Sequence, residues 1–523
     1  MSFSLVSKYL GIVALLTGAS MGLCLPWAFP VCSETPRPEW HAVCALLLAM
    51  ATASILGAVL LLVGRRGGGR MFRKEALAVV GLSWCLATAL GAVPYLLSGT
   101  CRAVAPAADS GDSPVPIGMG VVDAIFESAS GFSGTGATVI TDLENPDLVP
   151  RAILFWRSTT HFLGGLGIMV LFVALLGYSS SGKAVMRAEL AGPNKDTGQP
   201  RVQQAARVFA GTYITLNVVL VALLLTEGLH LFDALCHSFG TIATGGFSTY
   251  NDSVGHFQNA TIEMTIVLFM AISCINFALL YHAFFLRPGM LLRDAEARMY
   301  IGVLIAASLL AIGFGLYYED FESVSDAVRY GLFQVTSILT NTGFGTHNFD
   351  QWNEFGRGLL FLLMFIGGCA GSTSCSLKAI RHLILAKLLS RELERTYRPN
   401  VVRPLWLNGK PLDSDIARQV IIYCAGFLVI AVTAWLLLLV VEPDATWNAR
   451  DTNAHEKLMD CASAVAATMN GVGPGLGTIG TTRNYAHFND VSKLLLSFLM
   501  LLGRLEIIPI IVLLTPRFWS SIK

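Results

Sequence analysis

Charge is scarce in this chain: 36 Lys and Arg stand against 35 Asp and Glu, together 14% of 523 residues, for a formal net charge of +1. So even a balance gives no electrostatic reason to bind nucleic acid or another polyanion. Metal-ligand spacing is missing too. The 11 cysteines fall mostly inside apolar runs, where Cys44, Cys85, Cys274, Cys424 and Cys461 read as small core residues. Cys32 and Cys101 lie in segments expected outside the membrane; whether they pair is not decided by sequence. His161, His237 and His282 have no second ligand three or four positions away and read as helix-packing residues, and Asn276 as a hydrogen-bonding group between helices. The sequence contains no phosphate loop, no nucleophile with a nearby base and no enclosed carboxylate pair. An enzyme would have to be a membrane-embedded transferase or protease with its acids at the surface. No organic cofactor is expected.

What is abundant is apolar. Hydrophobic residues make up 54% of the chain and mean hydropathy is +0.60, values of a protein dissolved in lipid. The 50 glycines suit both close helix packing and special backbone turns. Tyr9–Leu25 resembles a signal-peptide core, but His41–Val63 follows at once without a convincing cleavage site, so both read as retained helices. Further spans read at Ala76–Leu97, Ala152–Tyr178, Ala205–Leu225, Thr261–Phe285, Tyr300–Tyr317, Leu359–Leu389, Ile416–Val441 and Ser492–Leu514. Each is near the roughly 20 residues a bilayer requires, which predicts ten full spans.

Basic residues collect in alternate loops: Arg65, Arg66, Arg70, Arg73 and Lys74; Lys183 and Arg187; Arg287, Arg293 and Arg298; Arg381, Lys387, Arg391, Arg395, Arg398 and Arg403. Those loops are expected to be cytoplasmic, with both termini. The other loops hold Asp142, Glu144, Asp147, Asp252, Asp320, Glu322, Asp350, Glu354, Glu442, Asp444 and Asp451. That acidity either concentrates cations at an outer mouth or simply solvates the loops.

Four times a short apolar stretch opening near an Asp runs into a Gly/Thr-rich turn: GFSGTGATV, TIATGGFST, LTNTGFGTH and TMNGVGPGLG. The spacing, roughly 100 to 130 residues, holds a helix, a re-entrant hairpin and a second helix per unit. The stretches Val122–Ser130, Phe232–Thr241, Asp326–Leu339 and Met459–Thr468 are too short to cross a bilayer. Asp123, Asp233 and Asp460 sit where an N-cap is expected and Asp326 about one turn further back, so each stretch reads as a half-helix that enters from outside and returns. Such a half-helix aims the negative end of its dipole at a cavity, and the turn after it can offer bare carbonyls in place of an ion's hydration shell. Glycine suits the dihedrals this requires, and Thr135, Thr244, Thr342 and Thr468 add hydroxyls. A cation pore follows.

These residues resemble the Trk/Ktr/HKT superfamily of potassium transporters, and within it the bacterial TrkH-type subunit. HFLGGLGIMVL after His161, FIGGCAGSTSC from Phe365 and MLLGRLEIIPI from Met500 look like the family's second-helix signatures. The implied fold is an all-α polytopic membrane protein with four helix–pore-helix–helix repeats around a central cation pore, plus an N-terminal helix pair. In this chain the pair covers residues 1–74 and the repeats 75–200, 201–295, 296–412 and 413–523. The implied filter comprises Thr135, Gly136 and Ala137; Thr244, Gly245, Gly246 and Phe247; Asn341, Thr342, Gly343 and Phe344; Asn470, Gly471 and Val472, with potassium at the glycines. In the fourth copy, NGVGPGLG, Gly471 and Gly473 are both eligible. Gly136, where some plant relatives carry Ser, points to potassium over sodium.

Arg504, between LLLSFLMLLG and LEIIPIIVLL, would be costly in lipid and must face the bundle interior or a wet cavity. By resemblance it is a barrier below the filter; pairing with Glu506 or another carboxylate is the alternative. In repeat three only eight apolar residues, Leu359–Ile366, precede GGCAGSTSCS, a run that cannot hold an ordinary helix and reads as a break at membrane depth. The resemblance implies a gating loop there, carried by Gly367, Gly368, Gly371, Ser372, Thr373 and Ser374; the other reading, through Gly367 and Gly371, is close helix packing. The family works as a homodimer on a cytosolic ring of TrkA-type nucleotide-binding subunits, for which Lys183–Arg207 and Arg391–Asp415 would be docking loops. A bacterial inner membrane is the implied location. Rival readings are a sodium-preferring or sodium- or proton-coupled transporter of the same fold, or an unrelated alternating-access transporter, whose inverted repeats would conflict with the single orientation of the four copies.

Overall fold

The computed structural model describes residues 2–30, 37–66, 72–104, 115–167, 201–285, 289–400, 404–448 and 454–520. Cys32, Arg70, Lys183, Arg187, Arg287, Arg403 and Asp451 fall outside the described residues, as does the expected span beyond Gly167. In chain order the main helices begin with α1 (Phe3–Met21), α2 (Trp40–Val63), α3 (Arg73–Leu97), α4 (Val121–Ser133), α5 (Arg151–Leu166) and α6 (Arg201–Thr226). They continue with α7 (Leu231–Ile242), α8 (Ala260–Ser273), α9 (Phe277–Phe285), α10 (Ala295–Tyr317), α11 (Val324–Leu339) and α12 (Glu354–Leu363). The last are α13 (Ala379–Tyr397), α14 (Ser414–Val441), α15 (Ala454–Asn470), α16 (Asp490–Arg504) and α17 (Ile507–Leu514). Strands among the described residues are limited to two antiparallel hairpins, Cys101–Val104 with Val115–Gly118 and Trp406–Leu407 with Lys410–Pro411.

Six of these helices, α1 (carried on to Ala28), α2, α3, α6, α10 and α14, are long and apolar enough to cross a bilayer. Only 22% of the apolar window of α2 and 17% of that of α14 is buried, against 67% for α3. The first two therefore turn apolar side chains outward, as lipid contact requires, while α3 is packed inside.

Among the described residues these six pass unbroken, and α8 with α9 makes a seventh if a bent pair counts as one span; the other expected spans are interrupted within the described residues. α5 stops at Leu166, where Gly167 turns out at φ +75°. α8 and α9 meet at an angle of 106°. Residues 364–378 separate α12 from α13 without helix, and α16 ends just before Glu506, itself at φ +63°. The causes are local: GGLG, SCIN and GGCAGSTSC hold a helix poorly, and Pro509 cannot donate to the Leu505 carbonyl. Glycine also allows close approach. A Cβ on Gly164 would lie 1.9 Å from the Phe132 carbonyl oxygen, and one on Gly503 2.0 Å from that of Met469, so only glycine lets α5 and α16 touch the ends of α4 and α15.

The short helices α4, α7, α11 and α15 occupy the four expected half-helix stretches. Their caps differ from expectation. Gly120 and His230 hold the N-cap positions of α4 and α7, and Ser323 caps α11 by accepting from the Asp326 N–H at 3.1 Å. Asp123, Asp233 and Asp326 each stand at the third helical position, where a carboxylate still complements the dipole. Asp460 lies deeper, bound to Trp447 Nε1 at 2.9 Å and Thr478 Oγ1 at 2.7 Å.

Broken helices pack against short helices distant in the chain or next along it, α5 on α7, α8 on α11 and α16 on α4. Two of these contacts carry ion pairs. Arg329 meets Glu263 at 2.6 Å, and buried Lys493 meets buried Asp123 at 2.6 Å.

Candidate functional site

Each short helix ends in the same backbone device: a left-handed residue, one residue more, then a left-handed glycine. The four are Gly134 (φ +70°), Thr135, Gly136 (φ +82°); Thr244 (φ +53°), Gly245, Gly246 (φ +78°); Asn341 (φ +59°), Thr342, Gly343 (φ +78°); and Gly471 (φ +67°), Val472, Gly473 (φ +90°). The middle N–H donates back into its helix, from Thr135 to Ser130 at 3.0 Å, Gly245 to Gly240 at 2.7 Å, Thr342 to Ser337 at 2.9 Å and Val472 to Ala467 at 2.8 Å. This is Schellman-type closure, and it fixes the turn rigidly to the helix end. Thr244 and Asn341 bear a Cβ in the left-handed region, a strain of roughly 1–2 kcal/mol each that the surroundings must sustain.

The four turns touch in a circle. A Cβ on Gly136 would lie 2.3 Å from the Gly245 carbonyl oxygen, and one on Gly246 1.9 Å from that of Thr342. One on Gly343 would lie 1.9 Å from the Val472 oxygen, and one on Gly473 2.4 Å from that of Thr135. Each glycine thus faces the middle carbonyl of the next copy, and the fourth returns to the first. One open cavity touches Gly136, Gly246, Gly343 and Gly473 together.

Register assigns Gly473, not Gly471, to the position of Gly136, Gly246 and Gly343; Gly471 corresponds to Gly134, Thr244 and Asn341. Aligning the triplets GTG, TGG, NTG and GVG would have found this. Ala137, Phe247 and Phe344 are buried behind the turns. The Phe247 ring stacks on His161 at 4.1 Å and lies 3.6 Å from the Arg157 guanidinium carbon. Arg157 donates to Glu127 Oε1 at 2.5 Å and the Ser248 carbonyl at 3.0 Å, while Glu127 also accepts the Val139 N–H at 3.0 Å. This buried pair, missed in the sequence, bolts the first turn to the second.

Acidic loop residues do not line the cavity, whose rim carries Arg157 and exposed Arg483 and no carboxylate among the described residues. Several tie loops instead. Asp142 accepts Asn251 Nδ2 at 2.9 Å, and Asp320 accepts the Asn353 N–H at 3.0 Å. Asp350 accepts the Gly477 N–H at 2.8 Å, and burial pushes its carboxyl pKa up. Burial, then the Asp233 carboxylate, pushes the Tyr250 phenol up to about 12.

On the other side of the ring lies the non-helical segment between α12 and α13. A Cβ on Gly471 would meet the Cys375 Sγ at 2.9 Å, that thiol donates to the Ser133 carbonyl at 3.5 Å, and Ser376 Oγ donates to Asn470 Oδ1 at 2.8 Å. Gly367 is crowded by the segment's own return and Gly368 by Cys274, between α8 and α9, as well as by Ser374, whose Oγ accepts the Gly368 N–H at 3.0 Å. Ser372 Oγ donates to the Cys369 carbonyl at 2.6 Å and Thr373 Oγ1 to that of Ser273 at 3.2 Å. Gly371 has φ +77° and so serves a turn, and a Cβ on it would lie 2.9 Å from Asn276 Nδ2. Asn276 donates to the Ala370 carbonyl at 2.6 Å, bracing this segment rather than a helix pair.

Arg504 joins the segment to α5: Nη1 donates to the Thr373 carbonyl and Nη2 to the Gly164 carbonyl, both at 2.6 Å. Glu506 pairs with Arg381 instead, which answers the alternative of an Arg504–Glu506 pair. A second open cavity is bounded by Gly167, Gly371, Lys378 and Arg504.

Residues 108–521 match the family model TrkH, a cation transport protein. The Trk system potassium uptake protein TrkH of Salmonella typhimurium is 36% identical over 475 residues, 90% of this chain and 91% of that protein. Its Escherichia coli K12 counterpart is 35% identical over the same shares. The crystal structure of the potassium transporter TrkH from Vibrio parahaemolyticus matches with a TM-score of 0.83 at 31% identity, covering 99% of this chain and all of that one. A polytopic helical chain with this match along most of its length belongs to the TrkH family of cation transport proteins.

Proposed function

We propose that this chain is the translocating subunit of a potassium uptake system, conducting the ion through the ring built by its four turns. The observation that carries the reading is the closed circle of glycines against neighbouring carbonyls. The Thr135, Gly245, Thr342 and Val472 carbonyls, one from each turn, replace part of the ion's hydration shell, and four helix C-termini aim their dipoles at it. The glycines let the strands approach without a Cβ between them. The ring belongs to four repeats, residues 75–200, 201–295, 296–412 and 413–523, beside the helix pair of residues 1–74.

Beneath the ring, residues 367–376 form the gate and Arg504 adds a positive barrier to a cation leaving the ring. Opening requires that Arg504 release the Thr373 carbonyl and that Cys375 withdraw from Gly471. Supporting this is the density of hydrogen bonds around an otherwise irregular segment, which is what a defined closed state needs. The names of the relatives support potassium as cargo. The subunit works as a homodimer in a bacterial inner membrane, both termini cytoplasmic, with a TrkA-type nucleotide-binding ring as regulator.

The test is rubidium uptake by the purified chain in liposomes, with reversal potentials in potassium, rubidium and sodium. Wild type takes up rubidium and prefers potassium to sodium; Gly343→Asp abolishes uptake. Unchanged uptake by Gly343→Asp, or a sodium preference in wild type, overturns the reading.

A further inference from the structure

The start of α10 joins parts of the molecule distant in sequence. Glu296, buried in the first turn, accepts with Oε1 from the Ala370 N–H at 2.6 Å and the Ile380 N–H at 3.1 Å. Those two residues flank Thr373 and Cys375, so one carboxyl oxygen grips both arms of the segment under the ring. Two residues earlier, Asp294 caps α10 through the Ala297 N–H at 2.9 Å, and its other oxygen accepts Asn408 Nδ2 at 2.7 Å. Asn408 Oδ1 in turn accepts the Ala295 N–H at 2.9 Å. Asn408 (φ +48°) and Gly409 (φ +76°) form the tip of the Trp406–Pro411 hairpin, the left-handed pair a two-residue loop requires. At the hairpin's base the Trp406 carbonyl accepts Lys387 Nζ of α13 at 2.5 Å.

We propose that Glu296 is a positioning residue that latches the intramembrane segment in its closed arrangement, and that the Asn408–Gly409 hairpin holds the helix end from which it reaches. This rests on the reading of that segment as the barrier. Ala370 and Ile380 are themselves buried, so removing the acceptor leaves two N–H groups unsatisfied in the closed form only. In an open form that exposes both to water the loss is small. The equilibrium therefore shifts toward opening, because the perturbation acts differently on the two states. A Gln side chain keeps a carbonyl acceptor in place, so Glu296→Gln retains the latch while Glu296→Ala releases it.

The experiment uses the full chain in proteoliposomes and two readouts: the rate at which a water-soluble maleimide modifies Cys375, resolved by peptide mass spectrometry, and rubidium uptake. Glu296→Ala raises both on the order of tenfold, the shift expected from a lost buried acceptor, and Glu296→Gln stays near wild type. Asn408→Gly removes only the exposed side chain, because glycine keeps the left-handed turn, and raises both to a smaller extent. Wild-type Cys375 reactivity in Glu296→Ala overturns the latch, as does a Glu296→Gln variant as reactive as Glu296→Ala. Faster modification with unchanged uptake upholds the latch and refutes the segment as barrier. If Glu296→Ala does not fold, Asn408→Gly decides: wild-type reactivity there overturns the proposal.

Discussion

Replacing Gly473 by alanine probes the ring at the position the register singles out. The new methyl would start 2.4 Å from the Thr135 carbonyl oxygen and 3.0 Å from the Gly136 carbonyl carbon. Real Cβ contacts do not fall below 3.0 Å, so the first and fourth turns must part by at least about 0.6 Å. Alanine would also have to hold φ +90°, which costs a residue with a Cβ roughly 1–2 kcal/mol. A shift approaching 1 Å in a group that must meet a passing ion changes rates by up to about 100-fold. We expect rubidium uptake to fall about tenfold to a hundredfold and potassium to lose much of its advantage over sodium in reversal potentials. Gly471→Ala is the control. Its methyl meets the Cys375 Cβ at 2.8 Å and Sγ at 2.9 Å, side-chain atoms of the segment below, so it alters flux and leaves discrimination intact. Wild-type discrimination in Gly473→Ala together with its loss in Gly471→Ala would refute the register and the ring with it.

Two further outcomes follow from the charges around the turns. Glu127 and Arg157 are 0% and 2% exposed, so removing one partner by Glu127→Gln or Arg157→Gln strands a buried charge at a cost of about 3–5 kcal/mol. Thermal melts in detergent should show each single variant strongly destabilised and the double variant less so than the sum; additive effects would mean the two do not act as a pair. Arg483 sits exposed on the rim of the cavity over the ring, and Arg483→Gln should raise rubidium uptake severalfold at low ionic strength. The difference should vanish at about 1 M salt, where the Debye length is ~3 Å; a gain indifferent to salt would show that the charge does not act through the field.

Much of this molecule is legible in its sequence because it depends on local rules. Runs such as Trp40–Val63 and Asp415–Val441 are apolar on all sides, and only lipid contact tolerates that. The four short helices were legible through their length and their Gly/Thr endings. Hydropathy alone did not register the breaks at GGLG, SCIN and GRLEIIP, because it averages over a window, whereas the run GGCAGSTSC announced its own break. Acidic loops were ambiguous for a similar reason: a carboxylate capping an N–H and one facing a cavity have the same composition.

Composition, periodicity and the four recurring turns by themselves determined that this is a helical membrane protein with four glycine-rich turns at the ends of short helices, since propensity, hydropathy and left-handed glycine are properties of neighbouring residues. Tertiary structure alone decided which glycine of the fourth turn faces Thr135, that Arg504 binds Thr373 and Gly164 rather than Glu506, and that Glu296 reaches Ala370 and Ile380. Those contacts join residues tens to hundreds of positions apart. No local preference encodes them, because they exist only once the helices have packed around a common centre.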